Sequence, residues 1–403
     1  MLILHDILEQ HLEEAAILSS RRMRCVLSPL QSLVTLAGLD RRIDAHLDGL
    51  LVDLESAWVL CETTLKFQEA GEVFVGAQVA LAGGNPGRIH KIVELACAAP
   101  QTLPGLIAAF GWLPYARVTS LVRSLSASEI AEQRYVAVAM QALHCVAGDW
   151  IQTALVDTSA LVQARACRAV GELGRTDLLL RIQALTQSKN ETVAFWSCWS
   201  AALLGDLSTV SALKRFVTLP VYADAALGVV LRRLSPQAAS LWLEELAQDE
   251  VKVRLVMRGA GIVGDPAFVP GLVSMMNVPE LARVAAHAFT TITGANLVRQ
   301  KLAAALPPLN DDDLVHDDPD DELPWPDPQR VSEWWNNNAA HFKVGTRYLL
   351  GQPVTPEQLQ WVLRFGEQKL RSGAALELAM LSPETPLFDT TARATLQLQR
   401  LGA

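Results

Sequence analysis

The sequence lacks the features that mark membrane and secreted proteins. Its unbroken apolar runs are all far shorter than the about 18 to 20 residues that span a bilayer. The first residues carry no positively charged stretch ahead of an apolar one, so they do not resemble a signal peptide. The six cysteines form no C-x-x-C pair and lie among small apolar residues. We therefore expect a cytoplasmic protein with reduced, buried cysteines.

Motifs that carry chemistry are also missing. There is no G-x-S-x-G and no H-E-x-x-H, and no two of the eight histidines stand four residues apart. The glycine cluster at 83–87 matches no phosphate-binding motif. His46 lies between Asp44 and Asp48, where a hydrogen-bonded turn is a more economical interpretation than catalysis. The sequence therefore predicts no catalytic residue, no metal and no cofactor.

Positive charge is scarce, and the excess of negative charge is local. The chain has 34 Lys and Arg against 43 Asp and Glu, for a formal net charge of −9. Without the acidic stretch at 311–322 the rest is close to neutral, which disfavours a nucleic-acid binder because phosphates require a basic face. The acids of this stretch are Asp311, Asp312, Asp313, Asp317, Asp318, Asp320, Asp321 and Glu322.

Three interpretations of the acidic stretch remain open. It can be a solvated loop, an electrostatic attractor for a basic partner, or a calcium site. The last is disfavoured because the stretch lacks the glycine and the terminal glutamate of an EF-hand loop.

Helical periodicity dominates the sequence. Apolar residues recur with a period of about 3.6 in segments of roughly 10 to 14 residues, and the segments are rich in Ala, Leu, Arg, Glu and Gln. Gly, Pro, Asn and Asp separate the segments. This pattern predicts an all-α protein built of many short helices.

The segments repeat with a period of about 30 residues. Similar two-helix units begin near Ser159, Glu191, Val221, Val251 and Leu281, and the pattern extends upstream to about residue 71. Each unit leaves an apolar face that only a neighbouring unit can cover. The sequence therefore predicts an α-solenoid of HEAT-like helical hairpins.

A glycine or Ser-Pro corner separates the two helices of each predicted unit. At the best-defined corner, Gly264 would end one helix, Asp265 would cap the next and Pro266 would begin it. The corners expected to be structural are Gly84, Gly174, Gly205, Ser235, Gly264 and Gly294.

Composition divides the chain into four predicted regions. These are an N-terminal helical cap at 1–70, the solenoid at 71–300, an acidic linker at 301–322 and a C-terminal helical region at 323–403. In the last region we expect a helix around Trp334 and Trp335, with at least one of them in the core. Thr355 is expected to cap another helix.

Several motifs stand out along the chain: LDRRIDAHLDGL (39–50), GWLP (111–114), LPWP (323–326), Trp334-Trp335, GTRYLLG (345–351), RSGAALEL (371–378) and Leu387-Phe388. Together they resemble a family of bacterial HEAT-like repeat proteins. Members are typically encoded beside type VI secretion spike and effector genes in proteobacteria. The resemblance implies an immunity protein for a toxic effector, or an accessory that handles one before export. It also implies structural roles for Arg347, which would tether a corner, and His46, which would hold the cap.

Three functions follow as hypotheses. The first is an immunity protein that binds and neutralises an effector toxin, such as a nuclease whose basic surface would attract the acidic stretch. The second is an adaptor that loads an effector onto the secretion spike. The third, from another class, is a HEAT-like enzyme such as a DNA glycosylase or bilin lyase, which the missing basic groove disfavours. Besides the acidic stretch, the residues proposed to contact a partner are Arg181, Lys214, Arg215, Glu244 and Glu245.

Overall fold

The computed structural model describes residues 2–146, 148–305 and 320–402. The chain is mostly helical, and within those residues the only strands are Tyr348–Leu349 (β1) and Gln352–Pro353 (β2). The predicted helical class is therefore confirmed.

The chain forms two compact units. The first unit combines residues 1–205 with 364–403, and the second comprises residues 206–363. The boundaries predicted at 70, 300 and 322 do not coincide with this division. The predicted boundaries follow changes in local composition, and composition does not show that residues 364–403 pack with the N-terminal half of the chain.

The first unit contains fourteen α-helices. They are α1 (Leu2–Cys25), α2 (Leu33–Leu50), α3 (Leu54–Thr64), α4 (Ala70–Gly83), α5 (Pro86–Ala98), α6 (Leu103–Gly111), α7 (Tyr115–Ser126), α8 (Ala131–Leu143), α9 (Trp150–Ala154), α10 (Ala160–Glu172), α11 (Leu179–Gln183), α12 (Glu191–Leu203), α21 (Gln368–Leu381) and α22 (Ala394–Arg400).

The helices described in the second unit follow in chain order, and the unit boundary falls within the last of them. They are α13 (Thr209–Leu213), α14 (Ala223–Arg233), α15 (Pro236–Leu246), α16 (Val253–Val263), α17 (Val269–Met275), α18 (Pro279–Thr293), α19 (Pro328–Asn338) and α20 (Pro356–Phe365).

Short 3-10 turns lead into or follow many of these helices. They span Leu51–Asp53, Leu65–Phe67, Pro100–Thr102, Thr176–Leu178, Lys214–Thr218, Glu250–Lys252, Pro266–Phe268 and Ala339–His341.

Local chemistry explains where the helices begin. Asn190 accepts a hydrogen bond from the Val193 amide at the start of α12, at 3.1 Å. Ser235 caps α15 with Pro236 in the first turn, as predicted from the Ser-Pro corner. In α12 nearly every side chain is buried, so it is an interior helix rather than a surface one.

The predicted corners separate consecutive helices from α4 to α17, but the last unit differs. After α18, the described residues 295–305 contain turns and no second helix. The helix predicted there is wrong because the chain instead becomes extended, with the Asp327 amide donating to the Leu302 carbonyl at 2.8 Å. Periodicity alone did not reveal that pairing.

The C-terminal predictions hold in part. α19 carries Trp334 and Trp335, both half-buried, while Thr355 accepts from the Gln358 amide at the start of α20. Phe342 lies beyond the end of α19. Cys145, expected to be buried, is exposed because it follows the end of α8 in a left-handed turn with φ of 50°.

Candidate partner-binding surface

The acidic stretch is anchored at its C-terminal end. Asp320 is buried, and its Oδ2 lies 2.5 Å from a guanidinium nitrogen of Arg254 on α16. Its carbonyl accepts from Arg283 on α18 at 3.0 Å. Arg283 in turn stacks over Trp325, 4.6 Å from the ring centroid. Asp320 therefore anchors the stretch in the second unit.

The other acids of the stretch divide into two groups. Asp321 and Glu322 are exposed beside the anchor. The remaining five lie outside the described residues, and these are Asp311, Asp312, Asp313, Asp317 and Asp318.

The described residues on either side of the acidic stretch pair with each other. Ala303 pairs with Pro326 in an antiparallel bridge, and the Ala304 amide donates to the Trp325 carbonyl at 2.9 Å. The segments at 303–304 and 325–326, which flank the acidic stretch in sequence, are thus hydrogen-bonded to each other.

The helices α14, α16 and α18 lie side by side at this anchor. Arg258 of α16 forms an ion pair with Asp224 in the first turn of α14. Arg254, in the first turn of α16, donates to the carbonyl of Glu280 in the first turn of α18, at 3.2 Å. The N-terminal ends of α14, α16 and α18 therefore lie along one edge of the second unit. Burial lowers the pKa of Arg258, and the nearby Asp320 carboxylate partly offsets that effect.

The charged residues predicted on the second helices are mostly exposed. In the second unit, Glu244 and Glu245 on α15 are exposed, whereas the Lys214 Nζ lies 4.9 Å from the Trp242 centroid. Arg215 is exposed and stacks on Phe216. In these contacts the Lys214 and Arg215 side chains pack against aromatic rings and also contribute charge to the surface.

Arg181 lies in the first unit, on α11, where its side chain is exposed. The structure therefore does not gather all the predicted partner contacts in one unit. The acidic stretch and the four charges from Lys214 to Glu245 share the second unit, and Arg181 does not belong to it.

Some of the motifs behind the family resemblance meet in the first unit in a polar network that is buried at Asp40 and partly exposed at Asp44. Asp40 of α2 accepts from Arg22 at 2.5 Å and from the Ala394 amide at 2.7 Å. Asp44 accepts from the Trp112 indole at 2.9 Å and also pairs with Arg393. The DRRID and GWLP motifs thus fasten the C-terminal segment to α2.

A second polar cluster in that unit surrounds Arg371 of the RSGAALEL motif. Its guanidinium is fully buried and donates to the side-chain oxygens of Gln368 and Gln397. Burial lowers the pKa of Arg371 to about 10, which still leaves it charged at neutral pH.

In the second unit, the GTRYLLG motif forms backbone hydrogen bonds with the C-terminal ends of two helices. Gly264 and Gly294 end α16 and α18 with φ of 74° and 72°, which favour glycine. The Tyr348 amide donates to the Gly264 carbonyl at 2.8 Å, and the Leu350 amide donates to Thr291 at 2.7 Å. The motif is thus a clasp across two neighbouring corners.

Polar side chains complete this clasp. Arg347 donates to the Val263 carbonyl at 3.2 Å. Asp265, with Pro266 beginning the following turn, accepts from the amides of Ala267 and Gly345. The other predicted corner glycines, Gly84, Gly174 and Gly205, also have positive φ.

His46 lies near the end of α2 and faces α1. Its Nδ1 is 3.1 Å from the Nδ1 of His11. A Cβ at Gly49 would collide with the His11 ring, so the absence of a side chain there leaves room for this contact. Burial and His11 lower the pKa of His46.

Other sites are sparse across the described residues. No cluster of three or more metal-ligating side chains occurs in those ranges. A shallow groove of about 390 Å³ is lined by Gln352, Pro353, Thr355, Glu357, Gln358 and Trp361. No single helix of the described chain is long and apolar enough to cross a membrane, although the bent pair Pro86–Ala98 and Pro100–Gly111 meets those criteria together.

Sequence reasoning missed the two arginines that hold Asp320. Arg254 and Arg283 appeared as ordinary helix residues, and only their proximity in the fold brings them to one acid. Comparisons with family profiles, curated proteins and solved structures yielded no match.

Proposed function

We propose that this chain binds another protein without catalysing a reaction, and that it acts as an immunity protein against a type VI secretion effector toxin. The observation that carries the proposal is the anchored acidic stretch. An ion pair with Arg254 neutralises the Asp320 carboxylate, and Arg283 donates to the Asp320 carbonyl. These contacts attach the stretch, which has seven further acids, to the second unit. A concentration of negative charge held in this way attracts a basic partner.

The partner expected from this charge has a basic functional surface. A nuclease toxin fits because it must neutralise nucleic-acid phosphates with Lys and Arg. Blocking that surface would stop the toxin without any chemistry by this chain. The HEAT-like solenoid that we propose for the hairpins would supply an extended surface for the remaining contacts.

The test is a rescue experiment in cells. The effector encoded beside this gene is expressed alone and together with the chain, and cell survival is counted. We expect co-expression to restore survival. Unchanged killing despite soluble co-expression would reject the immunity role.

A matched pair of variants tests the part played by the acidic stretch. Replacing Asp311, Asp312 and Asp313 by Asn should weaken rescue. Replacing the exposed Glu13 and Glu69 by Gln removes acids elsewhere and should leave rescue unchanged.

Deletion of the gene separates immunity from the adaptor role. Loss of an immunity protein makes the cell sensitive to its own toxin. Loss of an adaptor stops effector secretion while the cell stays insensitive, and that outcome would replace our proposal with the adaptor.

A further inference from the structure

Exposed valines stand at equivalent positions of the second unit. Val221, Val251 and Val278 each lie in the connection directly before a first helix, namely α14, α16 and α18. Their exposed fractions are 86%, 90% and 37%. One exposed valine is ordinary on a protein surface. Three of them, each just before one of three helices that pack side by side, form a repeated feature.

The contacts among the three helices place these valines in a row. Arg254 connects the first turns of α16 and α18, and Arg258, in the middle of α16, reaches Asp224 in the first turn of α14. Packed helices lie about 8–10 Å apart, so the valines recur at about that spacing. We call this row, with the acids beside it, the valine edge.

Carboxylates outnumber bases along the valine edge. The bases there face acids: Lys252 lies 3.0 Å from Asp249, and Arg254 contacts Asp320. Further acids are exposed nearby, and these are Glu250, Glu280, Asp321 and Glu322. The anchored end of the acidic stretch thus belongs to the same edge as the valines.

We propose that the valine edge docks a basic amphipathic helix of the partner. Seven residues of an α-helix advance about 10.5 Å, so an apolar residue at every seventh position would meet successive valines. Lysines and arginines between those positions would face the carboxylates of the edge. This inference rests on the proposed function and specifies the part of the partner that is recognised.

A synthetic peptide is the direct probe of this docking. It is a lysine-rich helix with leucine at every seventh position, and the control peptide has the same composition in shuffled order. Fluorescence anisotropy measures the binding of each peptide to the full chain. We expect the periodic peptide to bind at least about tenfold more tightly than the shuffled one. Equal affinities would overturn the proposal.

Two double variants locate the binding surface. Val221→Lys with Val251→Lys places positive charge on the edge and should weaken binding of the periodic peptide at least about tenfold. Leu180→Lys with Leu241→Lys changes two comparably exposed leucines elsewhere and should have no effect. All of these positions are exposed, so both variants should keep the wild-type unfolding temperature. Unchanged binding by the edge variant would overturn the proposal.

The rescue assay distinguishes a failed docking surface from a failed function. If the wild-type chain rescues cells and the Val221→Lys, Val251→Lys variant rescues equally well, the docking inference is wrong and the immunity function stands. If the wild-type chain does not rescue, the function is wrong, and the peptide titration alone decides whether the edge binds basic helices.

Discussion

At the scale of single residues, the first unit depends on charges that are buried and paired. Arg22 and Asp40 lie on neighbouring helices, and both side chains are almost fully shielded from water. Asp40 also holds the Ala394 amide. Removing one member of such a pair leaves the other charged and desolvated, which costs about 3–5 kcal/mol.

We therefore predict that Asp40→Ala strongly destabilises the protein, by about 3–5 kcal/mol, as measured by urea unfolding. Asp48→Ala, at an exposed site on the same helix, is the control and should change stability by less than about 0.5 kcal/mol. Similar stabilities for the two variants would show that the buried pair is not a major contributor.

Glycine at position 264 is required for two reasons. Its φ of 74° disfavours any side chain, and a Cβ there would overlap the Tyr348 carbonyl oxygen. Gly84 has a similar φ of 64° but open space around it. The two positions therefore separate backbone strain from steric overlap.

Both Gly264→Ala and Gly84→Ala should incur the left-handed cost of about 1–2 kcal/mol. Gly264→Ala should cost more because the clasp must shift to admit the methyl group. Thermal unfolding of the two variants measures the difference. An equal loss in both would contradict the close approach of Tyr348.

At the scale of elements, the contact between α1 and α2 should respond to pH. The folded state lowers the pKa of His46 from its ordinary value of 6.5, because burial and His11 disfavour the charged imidazolium. The unfolded chain therefore binds this proton more readily than the folded one. The stabilising effect is complete above about pH 6.5 and is lost as the pH falls through the lowered pKa.

We predict that His46→Gln reduces the loss of thermal stability between about pH 7 and pH 5. His341→Gln, at an exposed site, is the control and should follow the wild-type profile. If the His46 variant shows the same pH dependence as the wild type, His46 does not contribute to it.

The clasp at 345–351 is hydrogen-bonded to one buried carboxylate, that of Asp265. Asp265 accepts from the Gly345 amide at 3.0 Å, and the same segment bonds to the ends of α16 and α18. A lost acceptor of this kind costs about 1–3 kcal/mol.

Asp265→Ala should therefore speed amide hydrogen exchange at Tyr348 and Leu350 by about tenfold or more. Asp249→Ala removes a comparable cap at an exposed position and should leave those amides unchanged. Unaltered exchange in Asp265→Ala would show that the backbone bonds hold the clasp without the carboxylate.

The elements also show how far sequence could predict this fold. Apolar periodicity and corner residues predicted most of the helices from α4 to α17, because both signals are local. The β1–β2 hairpin was missed, since each strand has two residues and is held by bonds from distant helix ends. The failed second helix after Gly294 has the same cause, because Leu302 pairs with Asp327 across the acidic stretch.

Of the candidate site, the sequence could predict only the concentration of negative charge. Composition identified the acids at 311–322, but it assigned Asp320 the same role as its neighbours. The fold buries Asp320 between Arg254 and Arg283, which are distant in sequence. The valine edge was also missed, because the sequence does not show that these three separate valines are exposed.

At the scale of the whole molecule, partner binding should depend on salt. If the acidic stretch attracts a basic toxin, association should slow about tenfold or more between about 0.05 M and 0.5 M NaCl. The Asp311→Asn, Asp312→Asn, Asp313→Asn variant should show a shallower dependence. Association rates from stopped-flow fluorescence test this, and a rate independent of salt would contradict the electrostatic role.

The most direct test of a non-catalytic immunity protein is to titrate the purified effector toxin with the purified chain. Calorimetry would give affinity and stoichiometry, and the toxin's own activity would be measured on the same mixtures. We predict tight binding, with Kd of about 1 nM or below, and toxin activity that falls to zero at the binding equivalence point. Absence of binding, or a bound toxin with undiminished activity, would contradict the account.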